Sequence, residues 1–379
     1  MIITKVEASG YRCLREIRQE LGPYQILVGP NGSGKSVFLD AIRFLGDLVS
    51  GGLDKAVRAR TDNFYDLVWG RSNDSFRLSV EAAPSRQEPE LIRYEVEAKL
   101  DASSDQITIS SERLVVTEGS SERLALVIRE GQNVFLAPEM GLGGLQPKLH
   151  TRYSALTTLF THDMEFRSVA QLTYLLGDGR AIALDNRSLR RPVGPGGGGG
   201  RVVYDGAGLA RTVAQLQDSS EETFRSWIEH VRTAIPDIAG IRIVDRPEDR
   251  HRYLMVQYPG GVEVPQWMLS DGTLRLLALT ILAYLPDFHG VYLIEEPEVG
   301  VHPTAIETIM QSLSSVYEGQ VLVTSHSPIV LGLARPDQLL CFQKTENGTT
   351  IIPGNEHPML REWKAGVNVS DLFAAGVLG

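Results

Sequence analysis

Apolar and polar residues alternate along several stretches of the first third of the chain. Residues 76–82 and 92–98 alternate with a period of two, residues 106–109 do so more briefly, and residues 2–6 have the pattern of an opening strand. Alternation of this kind is typical of strands with one face in water, which are usually antiparallel. The pattern therefore predicts a strand-rich first segment, built around one helix at residues 37–45.

The last third of the chain has a different pattern. Residues 291–294 and 320–324 are continuous apolar runs, and residues 304–316 between them have helical spacing. Continuous apolar runs are typical of parallel strands that are covered on both faces. Together with the short apolar run at 25–28, they predict an α/β fold with a parallel core sheet.

The middle of the chain, from about 147 to 261, is mixed. Residues 154–176 are helical in parts, and residues 209–216 predict a helix. A second helix is expected to start at 219–222 with the spacing of a capping box, and Phe224, Trp227, Ile228 and Val231 share one of its faces. Strands are expected near 241–244 and 253–258, and the glycine run at 194–200 predicts a mobile loop. We find no solenoid repeat and no heptad run, so no long coiled coil is expected.

Length, charge and composition indicate where the protein is expected to be located and argue against some kinds of partner. The chain has 379 residues, a net charge of −10 and only two cysteines, Cys13 and Cys341. The charge argues against a uniformly basic surface, and so few cysteines favour a reducing compartment. The N-terminus lacks a signal-peptide pattern, and the longest apolar stretch, roughly 274–285, is too short to span a bilayer. We therefore expect a cytoplasmic protein with no membrane partner.

One motif carries most of the chemical information. It comprises Gly29, Pro30, Asn31, Gly32, Ser33, Gly34, Lys35 and Ser36. This run matches the G-x-x-x-x-G-K-[ST] pattern of a phosphate-binding loop, and it lies between an apolar strand and an apolar-periodic helix, as that loop requires. The glycines let backbone N–H groups surround a phosphate, Lys35 can reach the β- and γ-phosphates, and Ser36 can hold Mg²⁺. The alternative, an ordinary glycine-rich turn, does not explain the flanking pattern.

Three later motifs agree with this interpretation. The apolar run 291–294 ends in two carboxylates, of which Glu295 is expected to bind the metal and Glu296 to act as general base toward water. The 269–275 segment alone would be interpreted as an ordinary helix N-cap, but a helix start with Ser270 and Gly272 also suits an anion. Its place just upstream of the acidic strand end favours the anion site. His326 follows the run 320–324 and is expected at the ligand-binding edge of the sheet, near the γ-phosphate.

These four motifs, in this order, resemble the ATP-binding-cassette ATPases. The similarity is strongest to the soluble branch with SMC proteins, RecF and the ATPase half of OLD-family nucleases, and within it to stand-alone predicted ATPases of bacteria. The similarity rests on four segments: the opening strand with residues 10–14, the signature at 270–275, the Walker B and D-loop at 295–303, and the switch-histidine loop at 324–328. Two features depart from the pattern: Glu295 stands where most such ATPases have Asp, and no residue is assigned to the glutamine loop, for which Gln132 and Gln171 are only candidates.

The resemblance implies an organisation and a mechanism. The chain would be one ATPase head, with a first lobe at 1–140, a helical insert at 141–262, a second lobe at 263–345 and an extension at 346–379. ATP and Mg²⁺ would be bound by the phosphate loop, Glu295, Glu296 and His326, with Arg12 as a further nucleotide contact. A second copy would cover the γ-phosphate with Ser270 and Gly272, in a head-to-tail dimer that hydrolysis loosens.

Two biological functions are compatible with such a switch. It could act on DNA in genome maintenance or antiphage defence, with Arg187, Arg190, Arg191 and Arg201 around the glycine run following a phosphate backbone. Alternatively, it could regulate a separate effector such as a nuclease. We expect no nuclease activity in the chain itself, because about fifty residues follow the switch loop and no metal-binding cluster for DNA cleavage is evident. A transporter subunit is disfavoured because the signature lacks Gly-Gly-Gln, and a kinase because the carboxylate pair suits water as nucleophile.

Overall fold

The computed structural model describes residues 1–84, 90–101, 103–118, 121–136, 148–159, 167–177, 180–195, 205–286 and 290–361. In chain order, the strands are β1 (Ile2–Tyr11), β2 (Leu14–Glu20), β3 (Tyr24–Val28), β4 (Ser75–Ala83), β5 (Glu90–Asp101), β6 (Gln106–Glu118), β7 (Ser121–Glu130), β8 (Asn133–Leu136), β9 (Arg180–Ile182), β10 (Gly240–Asp245), β11 (Arg252–Tyr258), β12 (Val262–Pro265), β13 (Val291–Glu295), β14 (Gln320–Thr324), β15 (Leu339–Thr345) and β16 (Gly348–Pro353). The helices are α1 (Lys35–Arg58), α2 (Ala155–Leu159), α3 (Arg167–Gly177), α4 (Asn186–Leu189), α5 (Leu209–Ser219), α6 (Glu221–Ala234), α7 (Asp271–Thr280), α8 (Pro303–Ser314), α9 (Pro328–Leu333) and α10 (Pro358–Arg361).

The alternating stretches form one antiparallel sheet, as the pattern predicts. Its strand order is β2-β1-β4-β5-β6-β7-β8, and every pairing in it is antiparallel. In β4, Phe76, Leu78 and Val80 are buried. Arg77 and Glu81, which alternate with them, form ion pairs on the opposite face. One face of this sheet is therefore apolar and must be covered.

The continuous apolar runs form the second sheet, in the order β16-β15-β3-β14-β13-β9. All of its pairings are parallel except β15 with β16. Alternate residues of each strand enter different cores: Leu27 and Leu322 pack toward α1 and the antiparallel sheet, whereas Ile26 and Val323 pack toward α7 and α8. Burial on both faces explains why these strands show no alternation.

Helix α1 fills the space between the two sheets. Phe38, Leu39, Ile42 and Leu45 are at most 3% exposed and belong to the core that α1 shares with both sheets. The helix runs 24 residues, well past the predicted segment, with non-helical dihedral angles at Gly52. Because α1 begins at Lys35, its packing fixes the phosphate loop relative to both sheets.

The middle region contains the helices and the two strands that its pattern predicts, together with short elements that it does not. Strands β10, β11 and β12 form a small antiparallel sheet, and β9 joins the parallel core sheet beside β13. Three residues are too few to show a strand pattern, so β9 was missed. Helix α6 begins one residue later than expected: Ser220 is its N-cap and accepts the N–H of Thr223. Residues 196–204, including most of the glycine run and Arg201, lie outside the described residues.

Among the described residues, no helix is both long enough and apolar enough to cross a membrane.

Candidate functional site

The loop between β3 and α1 has backbone angles that require glycine at two positions. Gly29 has φ 143° and Gly34 has φ 104°. A Cβ at Gly29 would lie 2.2 Å from the carbonyl oxygen of Phe342, and one at Gly34 would lie 2.5 Å from Thr349 Oγ1. Thr349 Oγ1 also donates to the carbonyl of Ser33 at 2.9 Å. Strands β15 and β16 therefore hold this loop from behind, and only glycine fits at both positions.

Lys35 lies inside the loop. It is 5% exposed, and its Nζ donates to the carbonyls of Gly29 at 2.8 Å and Pro30 at 2.9 Å. Burial lowers the pKa of Lys35 to about 8, against the opposing effect of the Glu296 carboxylate. The Lys35 ammonium is thus folded back onto its own loop, near the Glu296 carboxylate, which follows β13 in the same sheet.

The start of α1 suits an anion. Its N-cap, Gly34, offers no side-chain acceptor, and the first turn contains no acidic residue. Ser36 in that turn is exposed, and the buried Ser33 Oγ has no hydrogen-bond partner among the described residues. The positive end of this 24-residue helix therefore has no carboxylate in its own first turn to neutralise it.

The sheet brings the two carboxylates and the histidine to this same edge. Strands β3, β14 and β13 are adjacent and parallel, so their carboxyl ends coincide. Glu296 donates its N–H to the carbonyl of Thr324 at 2.9 Å, and its Oε1 lies 3.4 Å from His326 Nε2. Glu296 has φ 46°, a left-handed conformation that is rare for a residue other than glycine and that recurs at functional sites.

Glu295 has a partner that the sequence did not indicate. Arg43 Nη1 on α1 donates to Glu295 Oε1 at 2.8 Å, while Arg43 Nε and Nη2 are buried with no partner in the part of the chain that the structure describes. Arg43 lies eight residues after Lys35, about two helical turns along α1, so it reaches the end of β13 only because α1 packs across that strand. No local pattern marks it.

The signature segment forms a capped helix start beside the turn that follows β13. Ser270 caps α7 by accepting the N–H of Thr273 at 3.1 Å. A Cβ at Gly272 would lie 3.0 Å from the carbonyl oxygen of Gly300, so the signature adjoins the turn after Glu298. Among the described residues, no hydrogen bond or ion pair joins Ser270 or Gly272 to residues 29–36.

Arg190 binds the residues that directly precede the signature helix. Its Nη1 donates to the carbonyls of Trp267 at 3.0 Å and Leu269 at 2.6 Å, and Nη2 pairs with Asp271. From the other side, Arg275 on α7 donates to Asn186 Oδ1 and to the carbonyl of Leu184. Two arginines thus clamp the segment that follows β9 onto the signature helix.

The remaining predicted residues lie as follows. Arg12 has φ 50°, is partly exposed, and donates to Asp40 on α1 at 3.2 Å. Gln132 lies in the turn between β7 and β8, and Gln171 lies in α3. The segment after β9 reaches the carboxyl edge of the parallel sheet, since β9 pairs in parallel with β13 through Ile182 and Ile294.

The residues present fit a nucleoside triphosphate with a hard divalent cation. The loop combines an uncapped helix start, a buried ammonium and an open position at Gly32, where a Cβ would have no neighbour within 4 Å. The Ser36 hydroxyl and the Glu295 carboxylate supply oxygen ligands of the kind Mg²⁺ prefers. Glu295 would have to be shared with, or released from, Arg43.

Comparison with known proteins agrees with this site. The family model described as "AAA domain, putative AbiEii toxin, Type IV TA system" matches residues 26–141 and 209–332, which is more than half of the chain. The chain belongs to this family. The matched ranges include the phosphate loop, the signature, both strand-end carboxylates and His326. The chain is therefore an ATP-binding ATPase, and ATPases of this kind use ATP, typically with Mg²⁺.

Solved structures show the same fold. The structure titled "Crystal structure of the SmcHead bound to the C-winged helix domain of ScpA" aligns with a TM-score of 0.55 and 14% identity, over 93% of this chain and 98% of that chain. An Smc head domain with an extended coiled coil from Pyrococcus furiosus (TM-score 0.49, 13% identity, 93% and 96% covered) and the SMC head domain from Thermotoga maritima (0.46, 13%, 93% and 99%) are also similar. The first match shows the fold of an SMC head. No curated protein sequence matches the chain.

Proposed function

We propose that this ATPase is a switch that closes into a head-to-tail dimer around ATP and opens when ATP is hydrolysed. The observation that supports it best is the convergence of three chain-distant segments on one edge of the parallel sheet. Lys35 follows β3, Glu296 follows β13, His326 follows β14, and the last two lie 3.4 Å apart. That arrangement suits a phosphate ester attacked by water.

Each residue has a task in this proposal. Lys35 turns from its own loop carbonyls to the β- and γ-phosphates, and Ser36 and Glu295 hold Mg²⁺, which neutralises phosphate charge when bound. Glu296 orients the attacking water and accepts its proton. His326 lies beside Glu296 and donates to the γ-phosphate. Arg12 remains a proposed nucleotide contact, and it must leave Asp40 to act.

A second copy is proposed because one copy leaves the signature unused. Ser270 and Gly272 form a capped helix start that, among the residues the structure describes, makes no hydrogen bond or ion pair with its own phosphate loop. The preceding residues Trp267 and Met268 are 43% and 70% exposed. In a symmetric dimer the signature of one copy would face the triphosphate held by the other. ATP would then be part of the interface, and loss of its γ-phosphate would weaken that interface.

Lys35→Ala tests the phosphate loop. The variant loses a buried cation that faces the phosphates, so we expect ATP affinity to fall at least about 100-fold, which corresponds to about 3 kcal/mol. Isothermal titration calorimetry measures this directly. Lys55→Ala, which removes an exposed lysine from the last turn of the same helix, is the matched control and should bind ATP as the unmodified chain does. Undiminished affinity of Lys35→Ala would contradict the assignment.

The pKa of Lys35 gives an independent prediction. Because burial lowers this pKa to about 8, the free protein carries an ammonium below pH 8 and a neutral amine above it. A bound triphosphate favours the ammonium, so binding above pH 8 must take up a proton. We expect affinity to fall by up to about tenfold per pH unit once the pH is above the pKa of Lys35, with net proton uptake that increases from pH 7.5 to pH 9 and approaches about one proton. Calorimetry in buffers of different ionisation enthalpy measures the uptake, and constant affinity from pH 7.5 to 9.5 would refute this prediction.

Two biological functions are candidates for this switch. Direct action on DNA, in maintenance or antiphage defence, would use the arginines around the glycine run. Arg187 and Arg191 are exposed, but Arg190 is committed to the signature segment. That engagement favours the second candidate, control of a separate effector such as a nuclease, as does the toxin named in the family description. Binding to DNA at several salt concentrations, with and without ATP, separates the two candidates.

A further inference from the structure

Glu298 connects the turn after β13 to the loop after β14. Its Oε1 accepts two hydrogen bonds, from Ser325 Oγ at 2.7 Å and from the N–H of His326 at 2.9 Å. Its Oε2 is buried and has no partner in the described residues. Nothing in the sequence motif assigns a task to this third carboxylate.

The same turn touches the switch loop at two points. Glu296 contacts the imidazole of His326, and Glu298 contacts the backbone N–H of that same residue. The turn itself is compact, since Val299 N–H donates to the carbonyl of Glu296 and Val301 N–H donates to that of Glu298. Ser325 is fully buried and also accepts the N–H of Ser327, which extends the link into the start of α9. The position of the imidazole therefore depends on where Glu298 holds the loop.

A carboxylate is a costly group for a purely structural link. Among the described residues, one of its oxygens is buried without a donor, so part of its desolvation is not compensated. The two hydrogen bonds that Glu298 does accept both come from residues 325 and 326, at the edge where Glu296 and His326 meet. A neutral acceptor of the same shape would make these two bonds as well, which the Gln variant below tests.

We propose that Glu298 is a positioning residue for ATP hydrolysis, which holds the 325–326 loop so that His326 Nε2 stays beside Glu296 Oε1. This inference rests on the proposed roles of Glu296 and His326. Glu298 itself touches neither nucleotide nor water in this role. Without it, the loop loses the two hydrogen bonds that join it to the turn after β13, and the imidazole is held less firmly beside Glu296 and the γ-phosphate.

The test is steady-state ATP hydrolysis by Glu298→Ala, Glu298→Gln and Glu307→Ala. We expect Glu298→Ala to lower kcat about 10- to 100-fold with KM for ATP changed less than about threefold, because alignment matters in the transition state more than in binding. Glu298→Gln should recover kcat to within about threefold, since its amide oxygen accepts both hydrogen bonds. Glu307→Ala, an exposed glutamate on the next helix, should behave as the unmodified chain.

A double-mutant cycle with His326→Ala supplies a readout that a merely structural role would not move. If Glu298 acts through His326, removing Glu298 in the His326→Ala background should change kcat less than about twofold. Ser325→Ala approaches the same link from the other side and should lower kcat in the same direction, which keeps the test available if Glu298→Ala does not fold.

The possible outcomes distinguish a failure of the positioning role of Glu298 from a failure of the proposed roles of Glu296 and His326. Unchanged kcat in both Glu298→Ala and Ser325→Ala, equal losses in Ala and Gln variants at Glu298, or additive effects with His326→Ala would overturn the positioning role. If Glu296→Gln and His326→Ala themselves hydrolyse ATP at the unmodified rate, the proposed catalytic edge fails instead.

Discussion

Glu296→Gln is expected to bind ATP normally and to hydrolyse it at least about 100-fold more slowly. General-base catalysis contributes about 10²- to 10⁴-fold, and the amide cannot accept the proton of the attacking water. The substitution is isosteric, and the backbone N–H of residue 296 can still donate to Thr324, so the left-handed turn should remain. ATP would then stay between two copies, and the dimer should accumulate.

The measurement is kcat by phosphate release, together with light scattering after size-exclusion chromatography in ATP. Glu307→Gln, on the exposed face of α8, is the control and should turn over ATP as the unmodified chain does. Turnover at the unmodified rate would remove Glu296 from the role of base. A slow variant that stays monomeric in ATP would leave the hydrolytic site standing and reject the dimer.

Arg129→Leu is expected to destabilise the fold by about 3–5 kcal/mol, the cost of leaving one partner of a buried ion pair alone. The Arg129 and Glu112 side chains are 0% and 1% exposed and lie 3.2 Å apart. Glu112 also accepts from Tyr94, Ser154 and the Ala155 N–H. Arg129 also donates to three carbonyls, those of Gly131, His150 and Tyr153. Leucine would leave the Glu112 charge without its cationic partner and would remove one donor from each of those three carbonyls.

This network also supports the site at a distance. The segment it holds bonds to α1 three times: Leu53 N–H donates to the carbonyl of Arg152, Thr157 Oγ1 donates to the carbonyl of Val49, and Arg152 Nη1 donates to Asp54 Oδ2. Urea unfolding followed by circular dichroism measures the loss. Arg77→Leu is the control: its side chain is 51% exposed with carboxylates no closer than 3.6 Å, so less than about 1 kcal/mol should be lost. The double variant Glu112→Leu/Arg129→Leu should recover part of the loss, and equal stability of Arg129→Leu and Arg77→Leu would contradict the prediction.

Local patterns predicted the elements that carry the chemistry. Alternation at 76–82 and 92–98 became β4 and β5 of the antiparallel sheet, and the apolar runs at 291–294 and 320–324 became the parallel strands β13 and β14. Such patterns succeed because each strand has a constant environment on each face. Strand β9 escaped because a three-residue strand has no period, and its role depends entirely on the neighbour it pairs with.

The residues that surround the site could not be found in the same way. Arg43 looks like any polar residue on an amphipathic helix, and Arg190 like one of several arginines near a glycine run. Their partners, Glu295 and Asp271, are 252 and 81 residues away. Contacts at such separations depend on how helices and sheets pack, which no short window of sequence records.

The sequence alone determined the phosphate loop, the strand-end carboxylates and the capped signature helix, because a glycine backbone, a strand end and an N-cap are local features with local physical causes. The tertiary structure decided which side chains share the edge of the parallel sheet. In the folded chain His326 contacts Glu296, Arg43 pairs with Glu295, and Glu298 joins the turn after β13 to the loop after β14. The reason is geometric: parallel strands β13 and β14 bring their carboxyl ends together only when the sheet is assembled.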